Sequence, residues 1–274
     1  MSFPALENYL ARLGEPPRTG ARIWRDGQGR AQGRYFNSTL TSAFQSVREL
    51  NSDTITGFEG FARSYSNDGD GLSLWRLLDH AASDDESIEL DRLCRILHAV
   101  NFFRQAAAEG KDLYLSVHSR LLAAVGSNHG SAFKHILDVL QLPRESIVLQ
   151  LPEVTENQGW LLSHVADNYR GNGFRIALNA AHAQEVLGVL ERVRPDAVKL
   201  DAHRIGDEND AIRLIGECAR RNIRVIFKRV ESQDALKTLR RIGERSGQAI
   251  HVQGYLWGMP KSELDPAANY VRAA

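Results

Sequence analysis

Eight short β-prone runs, each followed in most cases by a stretch with helical spacing, constrain this chain more than any other feature. The runs are Ala43–Val47, Ile55–Ala62, Leu113–Val117, Ile147–Leu151, Phe174–Leu178, Ala197–Leu200, Arg224–Phe227 and Ile250–Val252. Between them Leu90, Leu93, Ile96, Leu97 and Val100 form one apolar stripe, and Phe133, Ile136, Leu137 and Leu140 form another. The series continues at Leu161, Leu162 and Val165, at Val186, Leu187 and Leu190, at Ile212, Leu214 and Ile215, and at Leu236 and Leu239. Strands that alternate with helices return to the sheet in parallel. Eight of them in roughly 230 residues fit a closed barrel. The first two runs break this pattern, because Arg48–Thr54 is too short for a helical crossover. Those two strands are therefore expected to pair antiparallel. The expected fold class is α/β, a (β/α)8 TIM-like barrel with its first strand reversed.

Residues 1–40 read differently from the barrel at 41–274. Pro4 followed by Leu6, Tyr9, Leu10 and Leu13 predicts one short amphipathic helix, stopped at Gly14. The Gly-rich stretch carrying Arg18, Arg22, Arg25, Arg30 and Arg34 predicts loop or extended structure, a solvated basic arm. Lys plus Arg and Asp plus Glu both number 34, so the formal net charge is zero and no global field steers the chain to a nucleic-acid polymer or an acidic membrane. No apolar run approaches the roughly 20 residues of a spanning helix, and no basic segment followed by an apolar one opens the chain as a signal peptide does. Cys94 and Cys218 are the only cysteines, which predicts buried thiols in a reducing, cytoplasmic setting.

Five motifs, in order, resemble the EAL domain family of cyclic-di-GMP phosphodiesterases. Phe44-Gln45-Ser46-Val47 is similar to the family's Phe/Tyr-Gln-Pro-Ile strand, and Glu59-Gly60-Phe61-Ala62-Arg63 to its Glu-Ala-Leu-Leu-Arg. Lys199-Leu200-Asp201 matches Lys-Ile-Asp, and Val225 to Glu231 resembles Ile-Ala-Glu-Gly-Val-Glu. Gln253-Gly254-Tyr255 matches Gln-Gly-Tyr. The resemblance runs from about Leu40 to Pro260 and implies the same reversed first strand.

Family members hydrolyse cyclic-di-GMP with two divalent cations that activate a water and clamp the developing charge. Such cations want oxygen ligands at the barrel's C-terminal mouth. The positions aligned with carboxylate ligands carry Glu59, Gln150, Asn179, Ala180, Asp201 and Lys228 here, and Ser116 stands for an asparagine. Only Glu59 and Asp201 remain acidic, and Lys199 and Lys228 face the same mouth. The resemblance thus implies a vestigial mouth of Glu59, Lys199, Asp201, Lys228 and Gln253 with no metal, no cofactor and no hydrolysis. Lys228 or Lys199 is expected to contact Glu59 or Asp201, with Lys228 favoured to take over a cation's electrostatic role.

Residues implied for a cyclic-di-GMP site are Gln45, Glu59, Phe61, Arg63, Asn179 and Gln253, while Glu153 corresponds to a loop-bracing glutamate. Three have a structural alternative: an ion pair at a strand end for Arg63, core packing for Phe61, a hydrogen bond within the mouth for Gln45. His118 and His182 lack neighbouring ligands at metal spacing and read as ordinary histidines. Trp257 is expected to cover the barrel end, and Asp84 to Glu86 to form an acidic loop. Three functions compete: a non-enzymatic cyclic-di-GMP receptor acting through an unidentified protein partner, an interaction module that binds no nucleotide, and a weak phosphodiesterase. No second signalling domain is recognised beside the barrel, so input is expected from residues 1–40, the ligand or a partner. Homodimerisation is implied by the family alone, near the altered loop Asn179–Gln184.

Overall fold

Only Leu50–Thr54 separates the first two barrel strands, β3 (Ser38–Glu49) and β4 (Ile55–Tyr65), in this computed structural model, and the two pair antiparallel along their length. It describes residues 3–14, 22–36, 38–65, 83–119, 129–153 and 159–264. From β4 the sheet proceeds in parallel through β5 (Asp112–Ser116), β6 (Ile147–Leu151), β7 (Arg175–Ala180), β8 (Ala197–Asp201), β9 (Arg224–Lys228) and β10 (His251–Val252). The short β10 then returns antiparallel to β3, at Arg48 and Glu49, and closes the barrel. The expected α/β barrel with a reversed first strand is the observed one. Helices Asp84–Phe103, His129–Val139, Gly159–Gly171, Ala183–Val193, Glu208–Arg220 and Gln233–Ser246 form the outer layer, and their buried faces pack on the outward strand residues.

The solvated arm expected near the N-terminus is a correction. Arg18 lies outside the described residues, but β1 (Ile23–Arg25) and β2 (Ala31–Tyr35) form an antiparallel hairpin, and β2 pairs with β3 at Ser38–Leu40. The sheet therefore crosses position 40. β3 outruns β10, and its exposed upper edge would otherwise carry open N–H and C=O groups. The hairpin covers that edge. Asp26 forms its turn by accepting the N–H groups of Gln28 and Arg30. The buried Asn101 amide locks β2 from the helix side, accepting from Ala31 N and donating to Ala31 O, both at 2.8 Å. The helix predicted after Pro4 is present over Pro4–Arg12. Asp84 to Glu86 open the Asp84–Phe103 helix instead of forming a loop, with Ser83 Oγ accepting from Glu86 N.

Alternation along the strands stacks the barrel interior in layers. At the N-terminal floor, Asp112 of β5 accepts from Arg175 of β7 and from Arg224 of β9. Above it lies an apolar layer of Val47, Val148, Ala177, Ala197 and Ile226 around Tyr114. Tyr114 spans two layers: its hydroxyl accepts from Arg224 at 2.8 Å below, and its ring lies 5.4 Å under the Lys199 ammonium above. Gly57 makes room for it, since a Cβ there would meet the Asp112 carbonyl at 2.7 Å and the Tyr114 ring at 2.9 Å.

Two histidines are held neutral by their surroundings. Burial pulls His98 down to about 4, and burial with the neighbouring Arg224 does the same for His251. Unfolding lets each bind a proton at the ordinary value of 6.5, so the folded state is favoured above 6.5 and loses that advantage as pH falls toward 4. Urea unfolding should show stability falling between pH 7 and 5. His98→Gln should flatten the fall by about 1–2 kcal/mol, and an unchanged slope in this variant would remove His98 as its source.

Candidate functional site

The same alternation that buries Tyr114 places the next inward residues at the C-terminal mouth. Gln45, Glu59, Ser116, Gln150, Asn179, Lys199, Asp201, Lys228 and Gln253 come from several strands or strand ends, so the barrel, not local sequence, brings them together. Their contacts divide them into three groups.

The first group centres on Glu59. Lys199 Nζ donates to Glu59 Oε2 at 2.6 Å, and Gln253 Nε2 donates to the same oxygen at 2.7 Å. Gln150 Nε2 donates to Oε1 at 2.9 Å. Lys199 is 0 % exposed, and its ammonium also donates to Gln253 Oε1 at 2.8 Å. Gln253 reaches Gln45 Oε1 at 3.1 Å, and Gln45 donates in turn to the Gly258 carbonyl at 3.1 Å. Burial alone would raise the Glu59 pKa, but Lys199 and the two amides outweigh it and hold the carboxylate below its usual range. For Lys199 burial wins and lowers the pKa, with Glu59 opposing and Lys228 adding to the fall. Oε1 of Gln150 is buried without a donor among the described residues.

In the second group Lys228 Nζ donates to Asn179 Oδ1 at 3.0 Å and lies 3.5 Å from Glu153, while Asn179 donates to the Leu151 carbonyl. Glu153 also lies 3.7 Å from Arg204, in the turn after β8. The third group is Asp201, whose Oδ1 accepts from His203 N at 2.9 Å and whose Oδ2 accepts from Arg229 at 2.8 Å. Lysine meets carboxylate as expected, but through Lys199. Lys228 turns to Asn179 at the end of β7, two strands away, and Arg229, which is not among the residues implied for the site, neutralises Asp201. The sign of Arg229 in the sequence is a non-glycine residue where the resembling motif has glycine.

The chain after β10 crosses the rim as a strap. Phe44 and Lys261 exchange backbone hydrogen bonds at 2.7 and 2.9 Å, and Leu264 N donates to Gln105. Arg63, on the rim of β4, donates to the Pro260 carbonyl. A cleft of about 430 Å³ lies beneath, walled by Gln45, Glu59, Phe61, Arg63, Lys228, Arg229 and the strap residues Tyr255, Met259 and Pro260. That volume lies within the usual range for a small-molecule site. Tyr255 and Met259 are 52 % and 59 % exposed at its edge. Trp257 packs, partly buried, against the apolar cluster formed by the later strands and their helices. His182 stands at the start of the Ala183–Val193 helix, where its N–H donates to Glu185, and the buried His118 gives its backbone N–H to Asp91.

Gly254 fixes the approach of the strap. A Cβ there would lie 2.1 Å from the Val230 carbonyl oxygen, inside contact distance, so only glycine permits this passage.

The EAL domain family pattern matches residues 30–260 of the chain. No curated relative matches it in sequence. Among solved structures, the FimX EAL domain from Pseudomonas aeruginosa, bound to c-di-GMP, is similar with a TM-score of 0.66 at 20 % identity, over 83 % of this chain and 93 % of that one. The Bacillus subtilis YkuI protein, in complex with c-di-GMP and calcium, gives 0.66 at 17 % identity over 82 % of this chain. Klebsiella pneumoniae BlrP1, in a calcium and c-di-GMP complex, gives 0.68 at 19 % identity, also over 82 %. The chain spans 56 % of YkuI and 57 % of BlrP1.

Removing one member of a buried ion pair strands the other, which typically costs about 3–5 kcal/mol. Lys199→Met should therefore lower unfolding free energy by an amount of that order. Lys199→Met combined with Glu59→Gln should recover part of the loss, because the stranded charge is gone. Strict additivity of the two changes in urea titrations would show that the pair is not coupled.

Proposed function

The chain belongs to the EAL domain family, and we propose that it acts in cyclic-di-GMP signalling as a cytoplasmic receptor working through a protein partner, not as a hydrolase. One observation carries this reading: both carboxylates left at the mouth already face a cation of the chain. Lys199 lies 2.6 Å from Glu59, and Arg229 lies 2.8 Å from Asp201. Divalent cations bind where several anionic oxygens converge without compensation. Here the other aligned positions carry amides, an alanine and an ammonium, so the donor set does not fit two such ions. Hydrolysis through a metal-activated water has no support in these residues.

Binding is supported by what remains. Phe61 and Tyr255 offer aromatic faces to a base. Arg63, Lys228 and Arg229 offer positive charge to phosphates. Among the described residues no helix is long and apolar enough to cross a membrane.

The interaction-module reading has an observation of its own. Gln45 and Arg63, both implied nucleotide contacts, donate to the strap carbonyls of Gly258 and Pro260. A mouth that satisfies itself in this way also suits a chain that signals by its surface alone.

Purified protein with Mg²⁺ or Mn²⁺ is expected to give no linear product above a control without enzyme, while calorimetry with EDTA present shows cyclic-di-GMP binding. Arg63→Ala should weaken that binding about tenfold, since a charge-assisted contact is worth about 1.5–3 kcal/mol. Turnover that disappears in Glu59→Ala would overturn the receptor reading in favour of an enzyme. No binding by the wild type would leave the interaction module.

A further inference from the structure

Arg229 stands in a conformation that side chains avoid. Its φ is +62°, the left-handed region in which glycine is at ease and a residue with a Cβ is strained. The backbone has little choice there. β9 ends at Lys228, and the next residue must turn so that Val230 can donate to the Gln253 carbonyl at 3.0 Å and pack its own carbonyl against Gly254. Glycine would meet that demand without strain. Strain kept at a position that lines a cleft points to a use for the side chain.

The side chain is suited to one use. It is 57 % exposed and lines the 430 Å³ cleft, with Nη1 on the buried Asp201 at 2.8 Å. That bond aims the planar guanidinium, and among the described residues the other N–H donors of the fork remain for an anion. Lys228, the adjacent residue, lines the same cleft, tethered to Asn179 at 3.0 Å. Arg63 lies in the same wall. Of the two carboxylates in the lining, Glu59 is matched by Lys199 from beneath and Glu231 stands beside His203, while Lys228 and Arg229 face Glu153 and Asp201 from the cleft side. The cleft therefore presents Arg63, Lys228 and Arg229 as positioned N–H donors where an anionic ligand would meet them.

We infer that Arg229, aimed by Asp201, anchors a phosphodiester group of the bound nucleotide through its remaining N–H donors, with Lys228 beside it. The inference rests on the receptor reading, and names one residue that would hold the ligand within it.

Calorimetry with cyclic-di-GMP in EDTA, on wild type, Arg229→Gly, Arg229→Ala and Arg229→Lys, tests it, with thermal melting of each. The guanidinium is expected to matter and the backbone is not. Arg229→Gly and Arg229→Ala should both bind at least about tenfold more weakly, and Arg229→Lys should lie between them and wild type. Arg229→Gly should melt above Arg229→Ala, because it alone relieves the left-handed strain. Wild-type affinity in Arg229→Gly, whether or not Arg229→Ala is weakened, would overturn the anchor and leave the receptor reading standing. A wild type that binds no cyclic-di-GMP would overturn both.

Discussion

A lysine with no exposed surface organises the mouth of this barrel. Lys199 is tolerable there only because Glu59, Gln253 and the face of Tyr114 surround its ammonium. Taking such an ion from water costs several kcal/mol unless its hydrogen bonds are replaced. The rest of the inner mouth follows from that condition. Gln45, Gln150 and Gln253 are neutral amides, which complete the hydrogen bonding of the pair without adding charge to a dry interior. Further carboxylates at those positions would be like charges around Glu59 and would need cations of their own. Farther out the same bookkeeping repeats with Asp201 and Arg229, nearer to solvent.

Much of the barrel was legible in the order of residues. β-branched and aliphatic runs marked each parallel strand because those strands are buried on both faces, and a loop too short for a helix marked the reversed one. The β1–β2 hairpin was not read. Its strands, Ile-Trp-Arg and Ala-Gln-Gly-Arg-Tyr, are short; the second alternates buried and open residues, but over only five positions with Ala and Gly on its inner side, and Asn101 and the edge of β3 hold it. Asp26 and Gly29 between them were the local sign: Asp26 caps the turn and Gly29 takes the left-handed φ of +78°.

The site was legible in kind and less so in contact. Motif spacing brought Glu59, Lys199 and Gln253 into one list, and the structure brings them into one network. Which cation meets which carboxylate was beyond the sequence, because it depends on where strand ends lie across the barrel. Lys228 on β9 reaches Asn179 on β7, while the next residue reaches Asp201 on β8. Neighbours in sequence thus serve different partners. The strap was also hidden, since a run of Tyr, Leu, Trp, Gly, Met and Pro has no period of its own.

That strap has a thermodynamic consequence for anything entering the cleft. The carbonyls of Gly258 and Pro260 occupy donors on Gln45 and Arg63, and they are covalently attached to the barrel. They act as a tethered competitor, present at an effective concentration that dilution cannot reduce. A ligand that takes either donor must displace its carbonyl, and its observed affinity falls short of the contact it gains. Anything that lifts residues 258–264 from β3 would tighten such a ligand without touching it, and a ligand that displaces them would, by the same cycle, favour the lifted form.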